Sequence, residues 1–165
     1  MYKLLFLLTA FCLVTFQSKG QSNSYPFLED SWKVYNAEGN QSLIDTFYYK
    51  GKQSIKLEQN EIALLQKMEF KNFKLDVDIT GSGMAGIGFR ANNLFNYEFI
   101  YFRSKELAIN NTIQYVPIYN GSTGWQLYPG EEYQKKVSFS MKDWFHVTIE
   151  VTDSKLKLII KRKCK

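Results

Sequence analysis

The chain has 165 residues, 45% of them hydrophobic and 16% aromatic, with 21 Lys and Arg against 16 Asp and Glu. Six of the basic residues lie in 1–20 and 161–165, leaving 15 bases against 16 acids in between. The basic balance therefore belongs to the two ends, and the body lacks the clustered positive charge of a nucleic-acid-binding fold.

Residues 1–20 read as a secretory signal peptide. Lys3 gives a positive start, Leu4 to Phe16 form an apolar run, and Ser18 and Gly20 are small residues ahead of Gln21. The run is too short for a membrane span, which needs about 20 apolar residues. A lipoprotein anchor at Cys12 would need a small residue where Phe11 stands. The expected location is secreted, or periplasmic or cell-envelope, after cleavage near Gly20–Gln21. With Cys12 removed only Cys164 remains, so no internal disulfide is expected and the core must hold the fold by itself. About 145 residues suffice for one sandwich-sized domain. We expect that domain over residues 21–160, followed by a basic tail at 161–165.

The body shows neither repeats nor linker-like composition, and its periodicity is two. Leu75, Val77 and Ile79 alternate with Lys74, Asp76 and Asp78; Phe145, Val147, Ile149 and Val151 alternate with His146, Thr148 and Glu150; Leu156, Leu158 and Ile160 alternate with Lys155, Lys157 and Ile159. Such alternation marks strands with one face in a core. Turn markers separate them at Lys50-Gly51-Lys52, Gly81-Ser82-Gly83, Asn92-Asn93, Asn120-Gly121-Ser122, Pro129-Gly130 and Asp153-Ser154. Glu61 to Lys67 is the one segment with helical character; short and set between strands, it is read as a strand. Roughly ten short strands at hairpin spacing predict an all-β, two-sheet antiparallel jelly-roll sandwich.

Three groups of residues carry candidate chemistry. Asp76 and Asp78 share a strand face with Cα atoms about 6.5–7 Å apart, near the 5–5.5 Å carboxyl spacing of retaining glycosidases. An acidic, solvent-facing edge is the simpler reading, because half-buried strands turn polar residues outward.

The segment Gly86 to Arg103 reads as a hairpin. If Arg90 faces Glu98, then Gly86, Gly88, Arg90, Glu98, Ile100 and Phe102 share one face, and Ile87, Phe89, Phe99 and Tyr101 face the core. The first set would suit a polyol: the Arg90/Glu98 pair meets hydroxyls and the Phe102 ring meets sugar C–H faces. A plain cross-strand ion pair, with the glycines marking a bulge, is the competing reading. A one-residue shift of register would instead put Tyr97, Phe99, Tyr101 and Arg103 on the open face.

Further on, Gln114, Asn120, Trp125 and Tyr128 surround a Gly/Asn loop and form a second candidate sugar platform, unless Trp125 is buried beneath the loop. His146 is the single histidine, and its alternation with core residues places it at the surface. No zinc cluster, serine-nucleophile, phosphate-loop or dinucleotide motif occurs. No cofactor is expected. A calcium site made of loop carbonyls and an Asp stays open, though no motif marks one.

Two segments carry a family resemblance. Trp144-Phe-His-Val-Thr-Ile-Glu-Val-Thr-Asp-Ser-Lys-Leu-Lys-Leu resembles the closing hairpin of laminin G-like domains, and Gly86-Ile-Gly-Phe-Arg with Tyr97-Glu98 is similar to the paired strands of 3-keto-disaccharide hydrolase-type domains. Both belong to the concanavalin A-like lectin/glucanase superfamily, and the resemblance covers about residues 27–160. It implies a jelly roll with a concave glycan-binding face. The laminarinase-type E-[ILV]-D-x-x-E motif is absent, and the family pattern calls for a further strand after Ile160. That last departure predicts a truncated member whose sheet lacks its last strand, or one completed by a partner strand at the C-terminus. The functions that follow are a secreted lectin-like module with a glycan as partner, a glycoside hydrolase with Glu98 as acid/base and Asp76, Asp78 or Glu150 as its second group, or a laminin G-like adhesion module.

Overall fold

The computed structural model describes residues 3–7, 14–18, 21–25, 31–66, 68–104, 111–138 and 140–162. Cys12, Gly20 and Cys164 lie outside these residues. The strands, in chain order, are β1 (Lys3–Leu7), β2 (Val14–Ser18), β3 (Gln21–Tyr25), β4 (Trp32–Tyr35), β5 (Gln41–Ser42), β6 (Asp45–Tyr49), β7 (Lys52–Lys56) and β8 (Ile62–Leu65). They continue with β9 (Phe73–Ile79), β10 (Met84–Asn93), β11 (Asn96–Arg103), β12 (Ile113–Tyr119), β13 (Ser122–Thr123), β14 (Gln134–Lys135), β15 (Phe145–Thr152) and β16 (Lys155–Arg162). Two 3₁₀ turns, Trp125–Leu127 and Glu131–Tyr133, lie between β13 and β14. The all-β expectation holds, and Ile62–Leu65 is a strand as its neighbours require.

All pairings are antiparallel. The large sheet runs β13-β12-β11-β10-β1-β8-β4-β5, with β14 also on β12; the small sheet runs β16-β15-β9-β2-β3; β6 and β7 form a separate hairpin. Two strands of the segment read as a leader are paired here: β1 lies between β10 and β8, and β2 lies on β9.

The core sits between the sheets and follows the period-two pattern. Leu75, Val77 and Ile79 of β9 and Val147, Ile149 and Val151 of β15 are all but inaccessible, and they meet Ile87, Phe89, Ile100 and Phe102 of the large sheet. The Phe102 ring stands edge-on to Phe145 with centroids 5.6 Å apart. This packing corrects the proposed sugar contact at Phe102, which is wholly buried.

The hairpin register also differs from the expected one. Glu98 pairs with Phe89, Ile100 with Ile87 and Tyr101 with Gly86. Ile100 and Phe102 therefore face the core, while Tyr97, Phe99 and Tyr101 turn the other way. The shifted register predicts that aromatic stripe, but it is buried: with Ile62, Val116 and Ile118 it forms a second apolar cluster. The glycines change meaning accordingly. A Cβ on Gly86 would stand in the Phe99 ring and 2.5 Å from the Ile100 carbonyl oxygen, so Gly86 seats a ring of its own fold and leaves no room for a sugar.

Candidate functional site

The Arg90/Glu98 pair forms despite the altered register, because of a bulge. The β10–β11 ladder slips between Phe89 and Asn93, and Arg90 takes a left-handed backbone with φ of 50°. Bulges re-aim side chains beside functional sites, and left-handed non-glycine residues persist only where their surroundings hold them. Here Arg90 Nη1 donates to both Glu98 oxygens, at 3.0 and 3.2 Å, and Nη2 donates to the Asp153 carbonyl in the β15–β16 turn. Asp153 is itself left-handed (φ 49°), and its N–H donates to Asn72 Oδ1 at 2.8 Å. The guanidinium thus ties the edge of the large sheet to a turn of the small one.

A cleft of about 700 Å³ opens at this end of the sandwich. Its walls carry Arg90, Glu98, Asp153, Ser154 and Lys71, the amides Asn92, Asn93 and Asn96, and the rings of Tyr97 and Tyr119. Burial pushes the Tyr97 hydroxyl up to about 12. Nearby, burial first and the Glu98 charge second raise the pKa of the Tyr115 hydroxyl and keep it protonated. Asp153 is the second carboxylate-bearing residue on the cleft, one that sequence reasoning passed over as a turn marker.

The second candidate platform is divided. Trp125 is 46% exposed beside Tyr101, whose hydroxyl donates to Gln114 and accepts from Arg103. The Arg103 guanidinium lies over the Tyr101 ring, 4.6 Å from its centroid. Burial raises the Tyr101 pKa, while the Arg103 charge and these hydrogen bonds oppose the rise. Gln114, Tyr101 and Arg103 thus form one group on the side of the large sheet away from Glu98. Tyr128 does not join them. It packs on Tyr133 and Tyr115, with centroids 4.8 and 5.2 Å apart. Asn120 belongs to a turn, where its N–H donates to Asn96 Oδ1 at 3.1 Å.

Asp76 and Asp78 are more enclosed than a solvated edge would be. His146 Nδ1 lies 2.9 Å from Asp78 and Nε2 lies 3.3 Å from Asp76. Lys52 pairs with Asp78, Thr148 donates to Asp76, and Lys74 stands 3.5 Å from Asp76. Burial alone would raise the Asp76 pKa, but the Thr148 hydrogen bond, Lys74 and His146 outweigh it and hold the carboxyl below its ordinary range. The cluster fastens the β6–β7 hairpin to the small sheet through Lys52 and does not reach the cleft. Glu150, the other carboxylate considered, pairs with Lys157 at 3.3 Å. Among the described residues no three His, Cys, Asp or Glu side chains are placed to hold a metal ion, and no helix is long and apolar enough to cross a membrane.

Comparison with known proteins gives one match. Residues 28–161 match the family model described as the 3-keto-alpha-glucoside-1,2-lyase-like domain, a family of concanavalin A-like fold. No curated protein and no solved structure matches the chain. The matched span contains both sheets from β4 onward, the Arg90/Glu98 bulge and the Asp153 turn, and the chain belongs to the 3-keto-alpha-glucoside-1,2-lyase-like domain family.

Proposed function

We propose that this domain is an exported carbohydrate-binding module that takes a glycan in the rim cleft. The observation that supports the reading most is the Arg90–Glu98 pair, fixed by a left-handed bulge in a cleft that also carries the amides of Asn92, Asn93 and Asn96. A carboxylate accepts from sugar hydroxyls, a guanidinium donates to them, and asparagines do both. The Tyr97 and Tyr119 rings supply apolar surface for sugar C–H faces. Export rests on the leader-like composition of residues 1–20.

The family description favours a second reading, in which the bound glucoside reacts. Glu98 is placed to serve as acid/base, Arg90 orients it, and Asp153 lies on the same cleft. A ketone at C3 acidifies the C2 proton. A carboxylate that takes this proton lets the electron pair form a C1=C2 bond, while the glycosidic oxygen leaves with a proton from an acid.

A glycan array followed by titration of the strongest binder tests the first reading. Glu98→Gln and Arg90→Ala should each weaken binding about tenfold or more, the loss typical of a hydrogen bond to a charged group. Failure to bind any sugar, or binding that both variants leave unchanged, overturns it. Turnover of a 3-keto-glucoside that is lost in Glu98→Gln and kept in Asp76→Asn establishes the second.

A further inference from the structure

Beside the cleft, a second and largely apolar groove of about 410 Å³ lies along the same strands. On β11 the cleft has Glu98 and the groove has Ile100; on β12 the cleft has Pro117 and the groove has Tyr115; past the turn into β16 the cleft has Ser154 and the groove has Leu156. The pairs on β11 and β12 are spaced two residues apart and so share a face. Leu158, Ile160 and Tyr133 add to the apolar lining, Glu132, Gln134 and Lys135 are its polar members, and Leu156 is 36% exposed. Among the described residues β16 pairs only with β15, which leaves the groove open along that edge. Tyr115 lines the groove near Glu98, and its ring packs against Tyr133, 5.9 Å away.

We propose that the ligand is a glycoside with an apolar aglycone, the sugar lying in the cleft and the aglycone in the groove. This rests on the glycan reading of the cleft and names the substrate class of that site. Volume and lining favour a small molecule, since ligand pockets of about 300–1,000 Å³ are mainly apolar with a few placed polar groups. The polar-to-apolar order along one set of strands is the order of groups in such a glycoside.

The test is calorimetric titration of the full chain with methyl α-glucoside and phenyl α-glucoside. The phenyl compound should bind about tenfold tighter, corresponding to roughly 60 Å² of ring surface leaving water. Leu156→Asp and Tyr133→Ala should each remove that advantage and leave the methyl compound's affinity unchanged. Thermal melts accompany both variants, and Tyr133→Ala carries the test if Leu156→Asp fails to fold. Equal affinity for the two glucosides overturns the aglycone site alone. A phenyl advantage that survives Tyr133→Ala does the same. A concentration-dependent dimer lost in Leu156→Asp, with no phenyl advantage, assigns the groove to a second copy of the chain. If neither glucoside binds, the glycan reading of the cleft fails first and this inference falls with it.

Discussion

At Gly86 the meaning of a residue depends on its neighbour across the strand. In sequence, a glycine beside Arg and aromatics suggests room for a sugar. In the fold that room is taken by the Phe99 ring. Gly86→Ala should destabilise the protein by about 1–3 kcal/mol, as overpacking does, because backbone as well as ring blocks the new methyl; urea unfolding of the variant measures it. Asp76 supports a second prediction at this scale. Its folded pKa lies below the unfolded value of about 3.9, so its stabilising contribution is full above that value and is lost as pH falls through the lowered one. The stability gap between wild type and Asp76→Asn should therefore narrow as pH drops below about 4. A gap that is constant with pH would contradict this linkage. The enclosure of Asp76 and Asp78 was not legible in the sequence, since Lys52, which seals Asp78, comes from a hairpin far away in the chain.

At the scale of elements, the strands were legible and one register was not. β9 and β15 alternate between apolar and polar side chains and bury one face as the pattern requires, whereas β16, with a similar alternation, is at most half-buried. β11 carries apolar residues on both faces, Tyr97, Phe99 and Tyr101 against Ile100 and Phe102. Its pattern therefore leaves the register open, and the bulge at Arg90 settles it. The bulge also preserves the Arg90–Glu98 contact after the register has moved, so the site pair was found by an argument whose geometry was off by one residue. A paired measurement separates the two candidate rings. Phe102→Ala should cost about 3–5 kcal/mol, as buried phenylalanines do, whereas Trp125→Ala, half in solvent, should cost distinctly less. If Trp125→Ala proves as damaging as Phe102→Ala, Trp125 is a packing residue and no platform for a ligand.

For the molecule as a whole, composition and period were enough to reach a two-sheet antiparallel architecture, because the core lies where the alternation places it. The cleft was less legible. Its walls come from the β10–β11 turn, from β12 and from the β15–β16 turn, and only their meeting in space identifies Asp153 and Tyr115 as neighbours of Glu98. The position of β1 adds a matter of timing. Within β1, Leu5 finds its partners far along the chain, at Leu64 and Gly88. β1 is thus joined only through contacts distant in sequence, while the β15–β16 hairpin closes locally. Pairings so distant in sequence form slowly. Until those pairings form, β10 and β8 lack the strand that lies between them in the sheet. A chain started at Gln21 should accordingly refold along a different course from the full chain, which stopped-flow fluorescence of the two would reveal.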